Sequence, residues 1–247
     1  METAYQPTVQ ESRPELILPV RQKKPGGLLY FEDDYPSEAE KAYCILREKI
    51  ITLEFTPGSA IRDADLTVKL GIGRTPIREA IKRLEVEKFL VSHHRKGTYV
   101  NSITLVDIKR QYQVRRQLLT LAVALASQAG ETVRSMLERK ANSLAACAET
   151  INGKNVVKSI EELEIDIARA GGNPFLCSTL QQYSGYARRT WHLLDSFLTL
   201  NDLQLQDYPV IMEGVLNKDG EGASQAMAYH VDQVHLKVVD RFLKKFI

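Results

Sequence analysis

The sequence predicts a mostly α-helical protein: an N-terminal winged helix-turn-helix with a small β-hairpin wing, followed by an all-α helical bundle. Three observations predict it. Residues 66–84 read helix, glycine turn, helix; two β-prone triplets, Phe89-Leu90-Val91 and Thr98-Tyr99-Val100, flank a polar basic tip; and from Leu105 onward only helical periodicity remains. The 247 residues suit two cores better than one. We therefore expect an extended or disordered arm over 1–36, a DNA-binding unit over 37–101, a linker over 102–104 and a helical unit over 105–247.

The arm carries five prolines, the basic cluster Arg21-Gln22-Lys23-Lys24 and the acidic Glu32-Asp33-Asp34, with no sustained period. A solvated tail and a backbone contact to DNA are both open for that cluster. Ser37 then stands as an N-cap with Glu40 at the capping-box position, and Ala42, Ile45, Leu46, Lys49 and Ile50 continue a helix to about Leu53. Pro57-Gly58 breaks the chain. A short helix near Asp63 carries Leu66 and Leu70, Gly71-Ile72-Gly73 turns it, and the next helix runs from about Arg74 to Lys88. Farther on, helices are expected near 105–129, 131–150, 154–171, 173–200, 203–217 and 220–246, with Gly130, Gly171-Gly172-Asn173 and Gly220 at the breaks.

Composition limits the functions available. Net charge is only +2, so nucleic-acid binding requires a local basic surface. No apolar run is long enough to span a bilayer and the N-terminus lacks a signal pattern, so a soluble, cytoplasmic protein is expected. Cys44, Cys147 and Cys177 form no metal-spaced pair and read as small buried hydrophobes. The histidines, His93, His94, His192, His230 and His235, fall in no hydrolytic spacing, and no phosphate-binding glycine loop occurs. Glu162, Glu164 and Asp166 could serve an enzyme, although such a run also describes a solvated face.

The helix from Arg74 is the informative one. At about 100° per residue, Arg74, Thr75, Arg78 and Lys82 share one side, while Ile77, Ala80, Ile81 and Leu84 share the other. One side packs and the other can enter a groove. Arginine can bond guanine O6 and N7 together, and threonine can bond a phosphate or meet a thymine methyl. From Arg74 to Lys96 there are seven cations against three carboxylates. The helix start adds exposed N–H groups and a positive dipole end, and Pro76 is tolerated in the first turn. A basic amphipathic helix alone could be a plain surface helix; the preceding helix, turn and basic hairpin argue for DNA.

These residues carry a resemblance. Pro57-Gly58, Leu66, Gly71, Arg74-Thr75-Pro76-Ile77-Arg78-Glu79-Ala80, Leu84 and Lys96-Gly97-Thr98-Tyr99-Val100 closely resemble the GntR family of bacterial regulators. Gln113-Val114-Arg115-Arg116, Ala168 to Leu176, and Asp219 through Ala226-Met227-Ala228-Tyr229-His230 are similar to the FCD ligand domain of its FadR subfamily. The resemblance implies DNA contacts at Arg74, Thr75, Pro76 and Arg78 and, in the wing, at His94, Arg95, Lys96 and Gly97. Where relatives carry an arginine before the turn this chain has Ala64, with Arg62 as a possible substitute. It further implies a homodimer on a near-palindromic double-stranded operator and a metabolite-responsive repressor. A small anionic metabolite is expected near Arg115, whose planar fork can clamp a carboxylate.

Many FCD relatives hold a divalent ion with an aspartate, a histidine four residues later and two further histidines. The corresponding positions here are Ile160, Glu164, Tyr208 and His230. Isoleucine cannot coordinate, so the metal site is expected to be lost unless Asp166 or His235 replaces a ligand, and no cofactor is expected. Glu164, Tyr208 and His230 then either bond the effector or satisfy one another. The readings outside this class are an enzyme with its site in the helical part, and an architectural DNA-binding protein without a ligand.

Overall fold

The computed structural model describes residues 35–146, 153–195 and 198–246. The expected arm over 1–36 therefore lies almost wholly outside the described residues, as does Cys147.

Helix α1 spans Glu38–Ile51 and starts where the Ser37 hydroxyl accepts from Glu40 N at 3.1 Å. Only half of the expected capping box forms: the Glu40 carboxylate turns to Arg83, whose Nη1 lies 2.7 Å away. A side-chain N-cap still contributes about 1 kcal/mol. Helices α2 (Asp63–Leu70) and α3 (Arg74–Val86) are joined through Gly71, whose φ of 66° supplies the left-handed cap that an L side chain resists. The expected apolar face of α3, Ile77, Ala80, Ile81 and Leu84, is buried against α1. Each of the larger three stabilises this core by about 1.5–3 kcal/mol.

Strands β2 (Leu90–His93) and β3 (Gly97–Val100) form the wing hairpin, with Leu90 opposite Val100 and His93 opposite Gly97. A further strand, β1 (Ala60–Ile61), was not expected from the sequence. It pairs antiparallel with the far edge of β3, so the sheet order is β1-β3-β2 and the hairpin is anchored to the segment before α2.

Helix α4 (Leu105–Ala126) opens on a reciprocal box between Thr104 and Asp107. It packs against α6 (Gly153–Ala170), α7 (Pro174–Leu193), α8 (Asp207–Leu216) and α9 (Gly220–Phe246), while α5 (Glu131–Ala146) covers α6 and α8. The pairing is antiparallel between α4 and α9, since Thr120 O meets Ser224, Arg116 meets Asp232 and Tyr112 stacks on His235. Helix α7 ends well before the expected position 200. Beyond the turn after it, Thr199 and Asp202 cap a short 3-10 helix, Leu200–Leu203. The buried side chains form two separate clusters, one from α1 to β3 and one within α4 to α9. Among the described residues no helix is long and apolar enough to cross a membrane.

Candidate functional site

Helix α3 carries the residues expected to face a DNA groove. Arg74, Thr75, Arg78 and Lys82 are exposed and Pro76 is half-buried in the first turn, with Gly73 as the cap residue. Gly73 offers no side chain, so the helix start keeps its N–H groups free of a side-chain cap. Arg78 is held from behind: its Nε donates to Asp63 Oδ2 at 2.8 Å. That bond, helped by the Ala64 N–H and by the charges of Arg78 and Arg74, keeps the Asp63 carboxyl below its usual range. Arg62 is exposed at the start of α2, beside this group in sequence. Arg83 departs from the basic surface. It lies 3.4 Å from the centroid of the Tyr43 ring and pairs with Glu40 and Glu87, so it ties α3 to α1.

At the wing tip His94, Arg95, Lys96 and Gly97 are all exposed. The tip is shaped by Lys96 N donating to His93 O at 3.0 Å, by Tyr99 OH donating to Lys96 O at 2.8 Å, and by positive φ at Arg95 (60°) and Gly97 (100°). Below it, Ser92 Oγ and Thr98 Oγ1 approach to 2.7 Å across the strands.

In the helical part, four helices bring Arg115, Glu164, Tyr208 and His230 together in the interior. Arg115 pairs with Glu164 Oε1, which also accepts from Tyr208 OH at 2.9 Å. The Tyr208 and His230 rings lie 4.8 Å apart, and His230 Nδ1 is 3.0 Å from Asp207 Oδ2. Tyr112 and Trp191 flank the guanidinium at 5.8 and 5.9 Å. Burial works against the Arg115 charge, and Glu164 more than restores it; burial and then Glu164 push the Tyr208 hydroxyl well above its ordinary value. Tyr112 is pushed up to about 12, chiefly by burial. Arg115 Nε, Glu164 Oε2, Tyr112 OH and Trp191 Nε1 are buried without a hydrogen-bond partner among the described residues, so the cluster has unused donors and an unused acceptor.

Two expectations change. Arg115 is not a free clamp, because its charge is already matched by Glu164. Glu164 is not part of a solvated acidic face, since it is fully buried while Glu162 and Asp166 are partly exposed. A divalent ion does not fit these residues. Ile160 is a buried hydrocarbon, Glu164 Oε1 is taken by two donors, and a guanidinium stands beside it. The replacement ligands do not complete a site: Asp166 is paired with Lys140 and Arg169, and His235, whose buried Nε2 lacks a hydrogen-bond partner, joins no group of three or more histidine, cysteine or carboxylate side chains among the described residues. Sequence reasoning passed over Tyr112, Trp191 and Asp207. Tyr112 could have been found, because it lies three residues before Arg115 on the same helix face.

Residues 38–100 match the family model for bacterial regulatory proteins of the gntR family, and residues 110–233 match the FCD domain. The uncharacterized HTH-type transcriptional regulator YdhC of Bacillus subtilis (strain 168) is 32% identical over 114 residues, covering 44% of this chain. That match spans only about half of the relative, 51% of its length. The HTH-type transcriptional repressor RspR of Escherichia coli (strain K12) is 20% identical over 197 residues, 79% of this chain and 86% of RspR. Among solved structures, E. coli McbR/YncC superposes with a TM-score of 0.73 at 19% identity, over 84% of this chain and 100% of that one. A putative GntR regulator from Rhodococcus sp. RHA1 gives a TM-score of 0.65 at 18% identity, over 82% and 97%. The expected fold, a winged helix ahead of a helical bundle, is the fold these two share.

Proposed function

Since the chain belongs to the GntR family of bacterial regulatory proteins, as a DNA-binding transcription regulator with an FCD domain, we propose that it is a homodimeric, metabolite-responsive repressor. One observation carries the reading: in a nearly neutral chain, exposed Arg74 and Thr75 stand at an open helix start, exposed Arg78 and Lys82 follow along the same helix, and exposed His94, Arg95 and Lys96 stand at a wing tip. Arg74 and Arg78 read base edges in the major groove, the helix start and Thr75 hold a phosphate, and the wing holds the flanking backbone. Arg62 adds a contact from α2. Because one recognition helix reads only a few base pairs, two copies bind a near-palindromic operator. The protein works in the cytoplasm, with the chromosome.

The buried cluster of Arg115, Glu164, Tyr208 and His230 is the effector sensor. Its free polar atoms suit a small polar metabolite; an anionic one, the expectation drawn from Arg115, gains the guanidinium only by displacing Glu164. In this reading the cluster senses and does not catalyse. The test is selection of duplex DNA from a random pool by the purified protein, followed by mobility shift with Arg74→Ala and Arg78→Ala. Enrichment of a palindrome whose binding both variants weaken supports the reading. Equal binding by the variants sinks the assignment of α3. Turnover of a metabolite would favour the enzyme reading, and binding that no metabolite alters would favour the architectural one.

A further inference from the structure

The helical bundle holds the winged helix at three separate segments, and α7 takes part in every one. At α1, Arg47 Nη2 donates to Gln181 O at 2.7 Å, and Glu48 pairs with Arg188. Arg188 Nε is also 3.1 Å from Glu161 Oε2 on α6, so one guanidinium bridges a carboxylate from each unit. At the start of β2, Phe89 stacks on Tyr186 with centroids 4.6 Å apart and an 18° interplanar angle. At the end of β3, Arg189 Nη2 donates to Asn101 O at 2.6 Å. Asn101 in turn donates from its side chain to Lys88 O at 3.0 Å and from its backbone N–H to Phe89 O at 2.9 Å. Arg189 thus grips the base of the wing through one residue.

Both arginines are built in at a cost. Arg188 and Arg189 are 3% and 2% exposed. Arg189 has no carboxylate partner among the described residues, and burial pushes its pKa down to about 10. A buried cation spent on a single carbonyl is expensive if packing were its only purpose. Gly185 adds to this: a Cβ there would collide with the Arg47 guanidinium, so α7 is bare where α1 needs to enter.

The connection itself cannot hold the head in place. Residues 101–104 between β3 and α4 could extend to about 14 Å. One base-pair step of DNA is about 3.4 Å, so an undocked head could range over roughly four steps. A dimer that reads two half-sites at one separation needs each head fixed more tightly than that.

We propose that α7 is a cradle that fixes the winged helix on the bundle, with Arg188 and Arg189 as positioning residues that set the half-site spacing the dimer accepts. The inference rests on the dimeric DNA-binding reading above. These residues touch no DNA. They act by denying the head rotations that would let it meet a half-site displaced by a step.

The experiment is selection from random duplex DNA by the full-length protein and by the Glu48→Gln/Arg189→Met double variant, with the half-site sequence and the spacing read separately. The wild type should enrich paired half-sites at one spacing. The variant should enrich the same half-site sequence with spacings spread by about one base pair or more to either side. A variant that keeps the single wild-type spacing overturns the proposal, and so does one whose half-site sequence changes. If the double variant loses its helical circular dichroism, Glu48→Gln alone, at a partly exposed side chain of α1, is put through the same selection, and an unchanged spacing there also overturns it. A wild type that enriches no paired half-sites removes the dimeric reading itself, and this inference with it.

Discussion

Asp63 holds Arg78, carboxylate Oδ2 to Nε at 2.8 Å, and so ties the first turn of α2 to the exposed face of α3. An exposed pair of this kind adds little to stability. Its effect is on the arginine: a guanidinium anchored through Nε has its two terminal nitrogens left to point outward as a fork.

Arg78→Ala should therefore weaken operator binding by about 1–3 kcal/mol, the value of one bidentate base contact, without changing the thermal midpoint. Asp63→Asn should act differently. It leaves the cation in place but unanchored, so non-specific binding persists while the ratio of operator to non-operator affinity falls. Competition mobility shifts measure both; an unchanged ratio in Asp63→Asn would show that the anchor has no part in recognition.

The ion pair of Arg115 and Glu164 makes an energetic prediction. Removing one partner strands a charge in the interior, so Arg115→Met and Glu164→Leu should each cost about 3–5 kcal/mol. The double substitution should recover most of that loss, because an apolar pair of similar volume avoids the desolvation cost. Urea denaturation of the four proteins gives the cycle. Additive losses in the double variant would mean that the two residues do not act as a pair.

Much of the fold could be read because its determinants are local. The buried and exposed faces of α3 follow from a 3.6-residue period over one short helix, and Gly71 marks its turn. Strand β1 was missed because two residues, Ala60 and Ile61, cannot show an alternation. The end of α7 was misplaced because Leu193, Leu194, Phe197, Leu198 and Leu200 prolong an apolar pattern past the true stop. Arg83, Arg188 and Arg189 look like ordinary helix-surface cations, yet they pair with Glu40, Glu48 and Asn101, which lie 43, 140 and 88 residues away. Nothing within a turn of each arginine foretells that. The four residues of the buried cluster were gathered by resemblance, and their spacing would not have joined them.

Alkali should open the bundle before it ionises the buried phenols. Tyr112 and Tyr186 are both pushed up to about 12, chiefly by burial, and burial raises Tyr208 well above its ordinary value. Their unfolded value is near 10, so folding favours the protonated form. The stability this gives is complete below pH 10, and it is lost as the pH rises from 10 through the folded values, where only the unfolded chain can release the protons. Denaturation midpoints between pH 9 and 12 should fall, and Tyr112→Phe should make the fall shallower. A variant as steep as the wild type would exclude Tyr112 from the effect.

Arg95 sits at the wing tip with φ of 60°, a backbone region that costs a side chain bearing Cβ on the order of 1 kcal/mol and that asparagine tolerates better. The residue is exposed, and among the described residues its side chain makes no hydrogen bond or ion pair that would offset that cost. We propose that its guanidinium is displayed to a DNA backbone. Arg95→Asn should then move two properties in opposite directions. The thermal midpoint should hold or rise, because strain is relieved. Operator affinity should fall about equally for all sequences, and the slope of log affinity against log salt should flatten by about one, the loss of one phosphate contact. Fluorescence anisotropy across a salt series, beside a thermal melt, reads both. A lower melting point with an unchanged salt slope would make Arg95 a structural residue of the hairpin and remove it from the DNA interface.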